Sequence, residues 1–194
     1  MDILEIARQN QQRAREVIEE IRVIPIWESI GARVNLVGSL QTGLLMKHRD
    51  IDFHIYSSPL TLSDSFRAIV QLAENTSIKK IEYVNLLHTV EACIEWHAWY
   101  EDCQHELWQI DMIHILKGSK YDGYCEKVAE RISTVLTDEL RQTILMLKYE
   151  TPDTEKIMGI EYYQAVIRDG VRSYDDFRAW RHQHPVEGIT EWMP

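Results

Sequence analysis

The sequence predicts an α+β protein, with a mixed sheet and flanking helices in residues 1–118 and an all-helical region in 119–194. Three observations predict it. Between Arg33 and Leu116, apolar residues recur with period two in several short runs, the pattern of half-buried strands. One segment among them, Leu62 to Glu74, has helical spacing instead, so the sheet carries a helix in a connection. After Gly118 the period changes to that of helices and stays there, broken only at turn residues such as Pro152 and Gly170.

Taken in order, Asp2 to Ile24 repeats Leu4, Ala7, Ala14, Val17, Ile18 and Ile21 on one face, an N-terminal amphipathic helix interrupted by Pro25. Ile26 to Ile30 adds a turn that Gly31 ends. A first strand runs from Arg33 to Val37, a short helix from Leu40 to Lys47, and a second strand from Asp50 to Tyr56. Ser57-Ser58-Pro59 breaks that strand, and Thr61 or Ser63 caps the helix that follows. Lys79–Val84, Thr89–Trp99 and Glu106–Leu116 read as three further strands, the last two joined by a turn at Glu101–Gln104 and forming an antiparallel end to the sheet. Helices are expected at Tyr121–Leu136, Asp138–Tyr149, Thr154–Arg168 and Ser173–His184, with a frayed end around Gly188 to Pro194.

A chain of 194 residues buries a real core. Its net charge of −10, from 31 acidic and 21 basic side chains with no Lys/Arg stripe, disfavours an extended grip on nucleic acid but not a small basic pocket for one nucleotide. No apolar run approaches the roughly 18 residues of a membrane span. The N-terminal MDILEIARQNQQ lacks the basic-then-apolar order of a secretory signal. Cys93, Cys103 and Cys125 are odd in number and contain no CxxC pair, as expected of reduced thiols in a cytoplasmic protein.

The chemistry concentrates in RVNLVGSLQTGLLMKHRDIDFHIYS, Arg33 to Ser57. In the second strand Ile51, Phe53 and Ile55 point one way and Asp50, Asp52 and His54 the other. Strands are depleted in Asp, and two carboxylates about 6.5–7 Å apart on one face repel each other unless a proton or cation intervenes. A divalent cation bound by oxygen ligands would relieve that repulsion. Gly38 permits a tight turn and a close ligand approach, and the amides from Ser39 onward open a helix, a place that favours anions. Asp111, within Leu107–Ile113, is a third carboxylate on an apolar strand, where burial without a partner costs several kcal/mol. Glu95 is the reserve candidate.

Val37-Gly38-Ser39, ten residues, then Asp50-Ile51-Asp52 resembles the signature of the nucleotidyltransferase superfamily of the DNA polymerase β type. The resemblance is specific over residues 32 to 57, weaker to 116, and architectural beyond. It implies that Asp50, Asp52 and Asp111 ligate two Mg²⁺ ions, with Mn²⁺ as the alternative. Asp111 would also orient or deprotonate the acceptor hydroxyl. Gly38 and Ser39 would hold the triphosphate of ATP or another nucleoside triphosphate. Many members carry arginines in the helix after the Gly-Ser pair, where this chain has Leu40 and Thr42. Lys47, Arg49 and Lys120 are the candidate replacements.

The character of the chain is similar to enzymes that adenylylate lincosamide or aminoglycoside antibiotics. The expected partners are therefore a nucleoside triphosphate and a small-molecule acceptor, with no membrane, and the sequence leaves a homodimer open. A protein-modifying minimal nucleotidyltransferase and an inactive nucleotide-binding module of the same fold are the rival readings. Tyr121, Tyr124, Tyr162 and Tyr163 are candidates to line an acceptor pocket between the halves, although core or surface packing is the stronger reading of each. Other signals carry less. His48-Arg49-Asp50 has Ile55 where a kinase catalytic loop needs Asn, and His97, His105 and His114 form no zinc spacing with Cys93 or Cys103.

Overall fold

The computed structural model describes residues 2–186, 188 and 190–194. Helix α1, Ile3–Ile21, opens on Asp2, whose carboxylate accepts from the amides of Leu4 and Glu5, and buries Ala7, Ala14, Val17, Ile18 and Ile21. It ends one turn earlier than the spacing predicts. Arg22 adopts the left-handed conformation (φ 56°), and α2 (Val23–Glu28) starts at once. Pro25 therefore sits in the first turn of α2 rather than at the break, where its missing N–H costs nothing.

The sheet order is β1-β2-β5-β4-β3. Strands β1 (Arg33–Val37) and β2 (Asp50–Tyr56) are antiparallel. The chain then passes through α4 (Leu62–Ala73), capped by Thr61, and β3 (Ile78–Asn85). β4 (Cys93–Glu101) and β5 (Leu107–Ile115) follow, and β5 lies parallel to β2 at the centre. The expected start of β4 at Thr89 is too early. Residues 86–92 form the connecting loop, where the Thr89 hydroxyl donates to the Leu86 carbonyl and Ala92 has a φ of 48°. The β4–β5 turn is set by Asp102, whose carboxylate accepts from the amides of Gln104 and Glu106, the indole of Trp108 and the guanidinium of Arg13.

Between β1 and β2 the sequence predicts a helix from Leu40 to Lys47, but α3 is a single turn, Gly38–Gln41. Tertiary contacts override the helical pattern here. Gly43 is left-handed (φ 69°), and its carbonyl accepts from Gln11 and Arg141. The carbonyls of Leu44 and Leu45 accept from Lys148 and Gln11. Arg141 thus takes the carbonyls of Thr42 and Gly43, which a helix running to Lys47 would have paired internally.

The helical region comprises α5 (Tyr124–Val135), α6 (Asp138–Glu150), α7 (Gly159–Tyr163), running on as a π-helical turn at Gln164–Arg168, and α8 (Tyr174–Gln183). The helix predicted from Thr154 begins only at Gly159. Glu155 and Glu161 both pair with Arg181 of α8, and Glu161 caps the Met158 amide, so 152–158, which opens with a turn closed by the Glu155 amide on the Pro152 carbonyl, is held as a non-helical wall. One apolar core joins α1, α2 and α4 to the face of the sheet carrying Ile51, Phe53, Ile55, Ile110 and Met112. A second fills the helical region and draws Ala7, Leu44 and Met46 into it from before residue 118. The cleft opens on the opposite face of the sheet. Among the described residues no helix is long and apolar enough to cross a membrane.

Candidate active site

Strand register assembles the carboxylates. Asp52 of β2 lies directly across from Asp111 of β5, and Asp50 across from Gln109. Adjacent strands are about 4.8 Å apart, and residues in register share a face, so Asp52 and Asp111 are side-by-side neighbours. Asp50, two residues before Asp52, shares that face. His97 of β4 is the next residue in the same row, across from Asp111.

All four line a cleft of about 1130 Å³ between the sheet and the helical region. That volume is ample for a nucleotide with part of an acceptor. The electrostatics are those of a cation site. Burial, then the charges of Asp50 and Asp111, pushes the Asp52 carboxyl up to about 7. Burial also raises Asp50, partly offset by the positive charges of Lys148 and His48. Three clustered carboxylates, of which Asp50 and Asp52 are raised chiefly by burial, fit a hard divalent ion, which needs only oxygen ligands.

The turn from β1 into α3 fits closely over this group. Gly38 has a φ of 69°, and a Cβ there would lie 2.0 Å from Oδ2 of Asp52. Ser39, buried beside it, also lines the cleft. Because α3 is one turn long, any anion held there meets the first free amides rather than the dipole of a long helix.

The candidate cations separate by position. Lys47 and Arg49 line the cleft and pair at its mouth with Asp153 (2.9 Å) and Glu106 (3.1 Å). Lys120 is not among the lining residues. It pairs at the surface with Glu191, which Tyr121 also contacts. Lys148 of α6 was not legible as a site residue. It is buried, donates to the Leu44 carbonyl at 3.0 Å, and lies over the rings of Tyr162 and Tyr163. Its charge acts on both Asp50 and Asp52. It stands far from the Gly-Ser motif in sequence, and a lysine on an amphipathic helix gives no local sign of facing a cleft. Of the four tyrosines singled out, Tyr162 and Tyr163 line the cleft, whereas Tyr121 and Tyr124 do not.

Two more neighbours of Asp111 were missed. His97 Nδ1 lies 2.6 Å from Asp111 Oδ1, and its Nε2 lies 3.4 Å from Glu95. Asp111, then Glu95, pulls the imidazole up to about 10. Gln109 Nε2 donates to both oxygens of Asp111, at 2.9 and 3.1 Å. The reserve carboxylate Glu95 thus holds His97 and lies outside the cleft lining. His54, on the carboxylate face, faces Glu126 of α5 at 3.5 Å, and Glu126 also accepts from Asn35 and Tyr56. These contacts tie α5 to the sheet.

No family model matches the chain, and no curated protein sequence matches it. Solved structures do match. A mutant of the Cid1 poly(U) polymerase bound to MgATP superposes with a TM-score of 0.61 at 14% identity, covering 81% of this chain and 49% of that one. A cytoplasmic RNA terminal U-transferase gives 0.56 at 11%, covering 86% and 51%. Cid1 with the UTP analogue UMPNPP gives 0.54 at 11%, covering 81% and 48%. The chain spans about half the length of these structures. They are nucleotidyltransferases of the polymerase β-like fold, and the chain has that fold.

Proposed function

We propose that the chain is a cation-dependent nucleotidyltransferase that moves a nucleoside monophosphate from a nucleoside triphosphate to a hydroxyl, with release of pyrophosphate. The observation that carries this reading is the register of Asp52 on Asp111, with Asp50 beside them and Gly38 closing over Asp52. Asp50, Asp52 and Asp111 would hold two Mg²⁺ ions, or Mn²⁺ in their place. When bound, such ions lower the pKa of an attacking hydroxyl and neutralise a leaving pyrophosphate.

The protein's own groups have distinct tasks. The amides at Gly38 and Ser39 bind phosphate oxygens, and Lys148 supplies the positive charge that the α3 turn lacks. Lys47 and Arg49 sit at the mouth, able to exchange Asp153 and Glu106 for phosphate. Ile157, Met158, Ile160 and Tyr163 offer an apolar wall to a base. Asp111 accepts the proton of the acceptor hydroxyl. That oxygen forms a bond to the α-phosphorus as the bond from phosphorus to the bridging oxygen breaks, and the electron pair leaves with pyrophosphate.

We assign the acceptor to the small-molecule class and the transferred group to adenylate. The acidic net charge and the absence of a basic stripe support the first, and the sequence resemblance supports the second. An RNA 3′ hydroxyl is the second reading, favoured by the likeness to RNA terminal uridylyltransferases. The test is incubation with Mg²⁺, labelled ATP, GTP, CTP or UTP, and a panel of aminoglycosides, lincosamides and short RNAs. Label on a small molecule, abolished by Asp52→Ala, is the expected result. Label on RNA replaces the acceptor assignment with the second reading, and label on protein replaces it with a protein-modifying one. A wild-type chain that binds no nucleotide overturns the proposal.

A further inference from the structure

We propose that His97 is a positioning residue for Asp111: with Gln109, it fixes which oxygen of that carboxylate is offered to the cation and the acceptor hydroxyl. The inference rests on the reading of the cleft given above, and it starts from the row across the sheet. Asp52, Asp111 and His97 are consecutive in register on β2, β5 and β4. Asp111 therefore has a carboxylate on one side and an imidazole on the other.

A carboxylate is acceptor-only when ionised, so at 2.6 Å His97 Nδ1 carries the hydrogen and donates to Oδ1. Gln109 adds a second donor to Oδ1 at 2.9 Å and a longer contact to Oδ2 at 3.1 Å. Oδ1 is thus occupied by two donors, and Oδ2 keeps the greater free accepting capacity. The terminal torsion of Asp is soft and roughly two-fold. Beside Asp52, an unrestrained Asp111 carboxylate would swing away from its like charge. His97, from β4 on the side away from β2, and Gln109, from β5 itself, fix its rotation.

His97 is itself held. Glu95 precedes it by two residues on β4, on the same face, and lies 3.4 Å from Nε2. Glu95 and His97 therefore stand in line behind Asp111 on the sheet surface, outside the set of groups that would touch a cation. Groups that hydrogen-bond a metal's ligands typically matter about 10–100-fold in metal affinity.

The test is Mn²⁺ binding by the full chain in the presence of a non-hydrolysable ATP analogue, followed by calorimetry or electron paramagnetic resonance. Neither readout needs the acceptor. His97→Phe, which keeps a ring and removes the donor, is expected to weaken Mn²⁺ binding about 10–100-fold. In His97→Asn the amide nitrogen stands close to the position of Nδ1, and binding should stay within about threefold of wild type. Gln109→Met, of similar length without a donor, gives a loss in the same direction and serves should His97→Phe not fold. Wild-type affinity in both His97→Phe and Gln109→Met overturns the inference, as does an equal loss in His97→Phe and His97→Asn. A wild-type chain that binds neither Mn²⁺ nor the analogue overturns instead the reading of the cleft.

Discussion

Gly38 and Asp52 interlock: a Cβ on the glycine would lie 2.0 Å from Oδ2 of the carboxylate. The turn and the central acidic side chain therefore share one volume, and only a residue without a side chain permits it.

Gly38→Ala is expected to abolish nucleotide binding, because Asp52 must swing out of the row it forms with Asp111. The left-handed φ of 69° adds backbone strain of about 1–2 kcal/mol. Gly31 is the control: its φ is 78°, but a Cβ there meets nothing within 4 Å. Gly31→Ala should lose about 1–2 kcal/mol in denaturant unfolding and bind nucleotide normally. Equal binding by both variants would contradict the interlock.

Lys148 is the cation through which the helical region reaches the carboxylates. Lys148→Met should weaken a fluorescent nucleoside triphosphate about 10–100-fold in Mg²⁺, the loss of one charge-assisted contact of roughly 1.5–3 kcal/mol. Lys120→Met should change it less than about twofold, since Lys120 pairs with Glu191 away from the cleft. The opposite ranking would restore Lys120 as the phosphate-binding lysine that the sequence suggests.

Stability should fall in mild acid through His114. This histidine is fully buried between the hydroxyls of Ser57 and Ser65, against the ring of Trp27. Burial lowers it from 6.5 to about 4, against a small opposing pull from Asp64. The unfolded chain then binds more protons between those values. The contribution is present above pH 6.5 and lost as the pH falls toward 4, about 3 kcal/mol in all. Asp52, raised to about 7, has the opposite sign, because its contribution is lost as the pH rises. The informative quantity is therefore the difference between wild type and His114→Gln, measured by urea unfolding at pH 7 and pH 4.5. An unchanged difference would contradict the assignment.

The core of the site was legible because it is local. Gly38-Ser39 and Asp50-Ile51-Asp52 carry their own spacing, and period two in β2 tells which face Asp50 and Asp52 share. Asp111 was legible as a charge on an apolar strand. The chain's tertiary supplements were not. Lys148, Arg141 and Gln11 reach the 42–45 loop from α6 and α1, and by taking its carbonyls they convert a helical pattern into an irregular loop. His97 was read for metal spacing within the sequence, where it has none. Its partner is in register on the neighbouring strand, and pairing register is a property of the sheet. Residues 154–158 read as helical because the ion pairs that hold them out of a helix come from α8.

The most direct measurement is a crystal structure of the chain with Mn²⁺ and a non-hydrolysable nucleoside triphosphate, with anomalous scattering to locate the metal. The account expects anomalous density bound by Asp50, Asp52 and Asp111, with triphosphate oxygens on the amides of Gly38 and Ser39 and near Lys148. Metal bound away from these carboxylates, or a nucleotide that leaves Gly38 and Ser39 untouched, would contradict it.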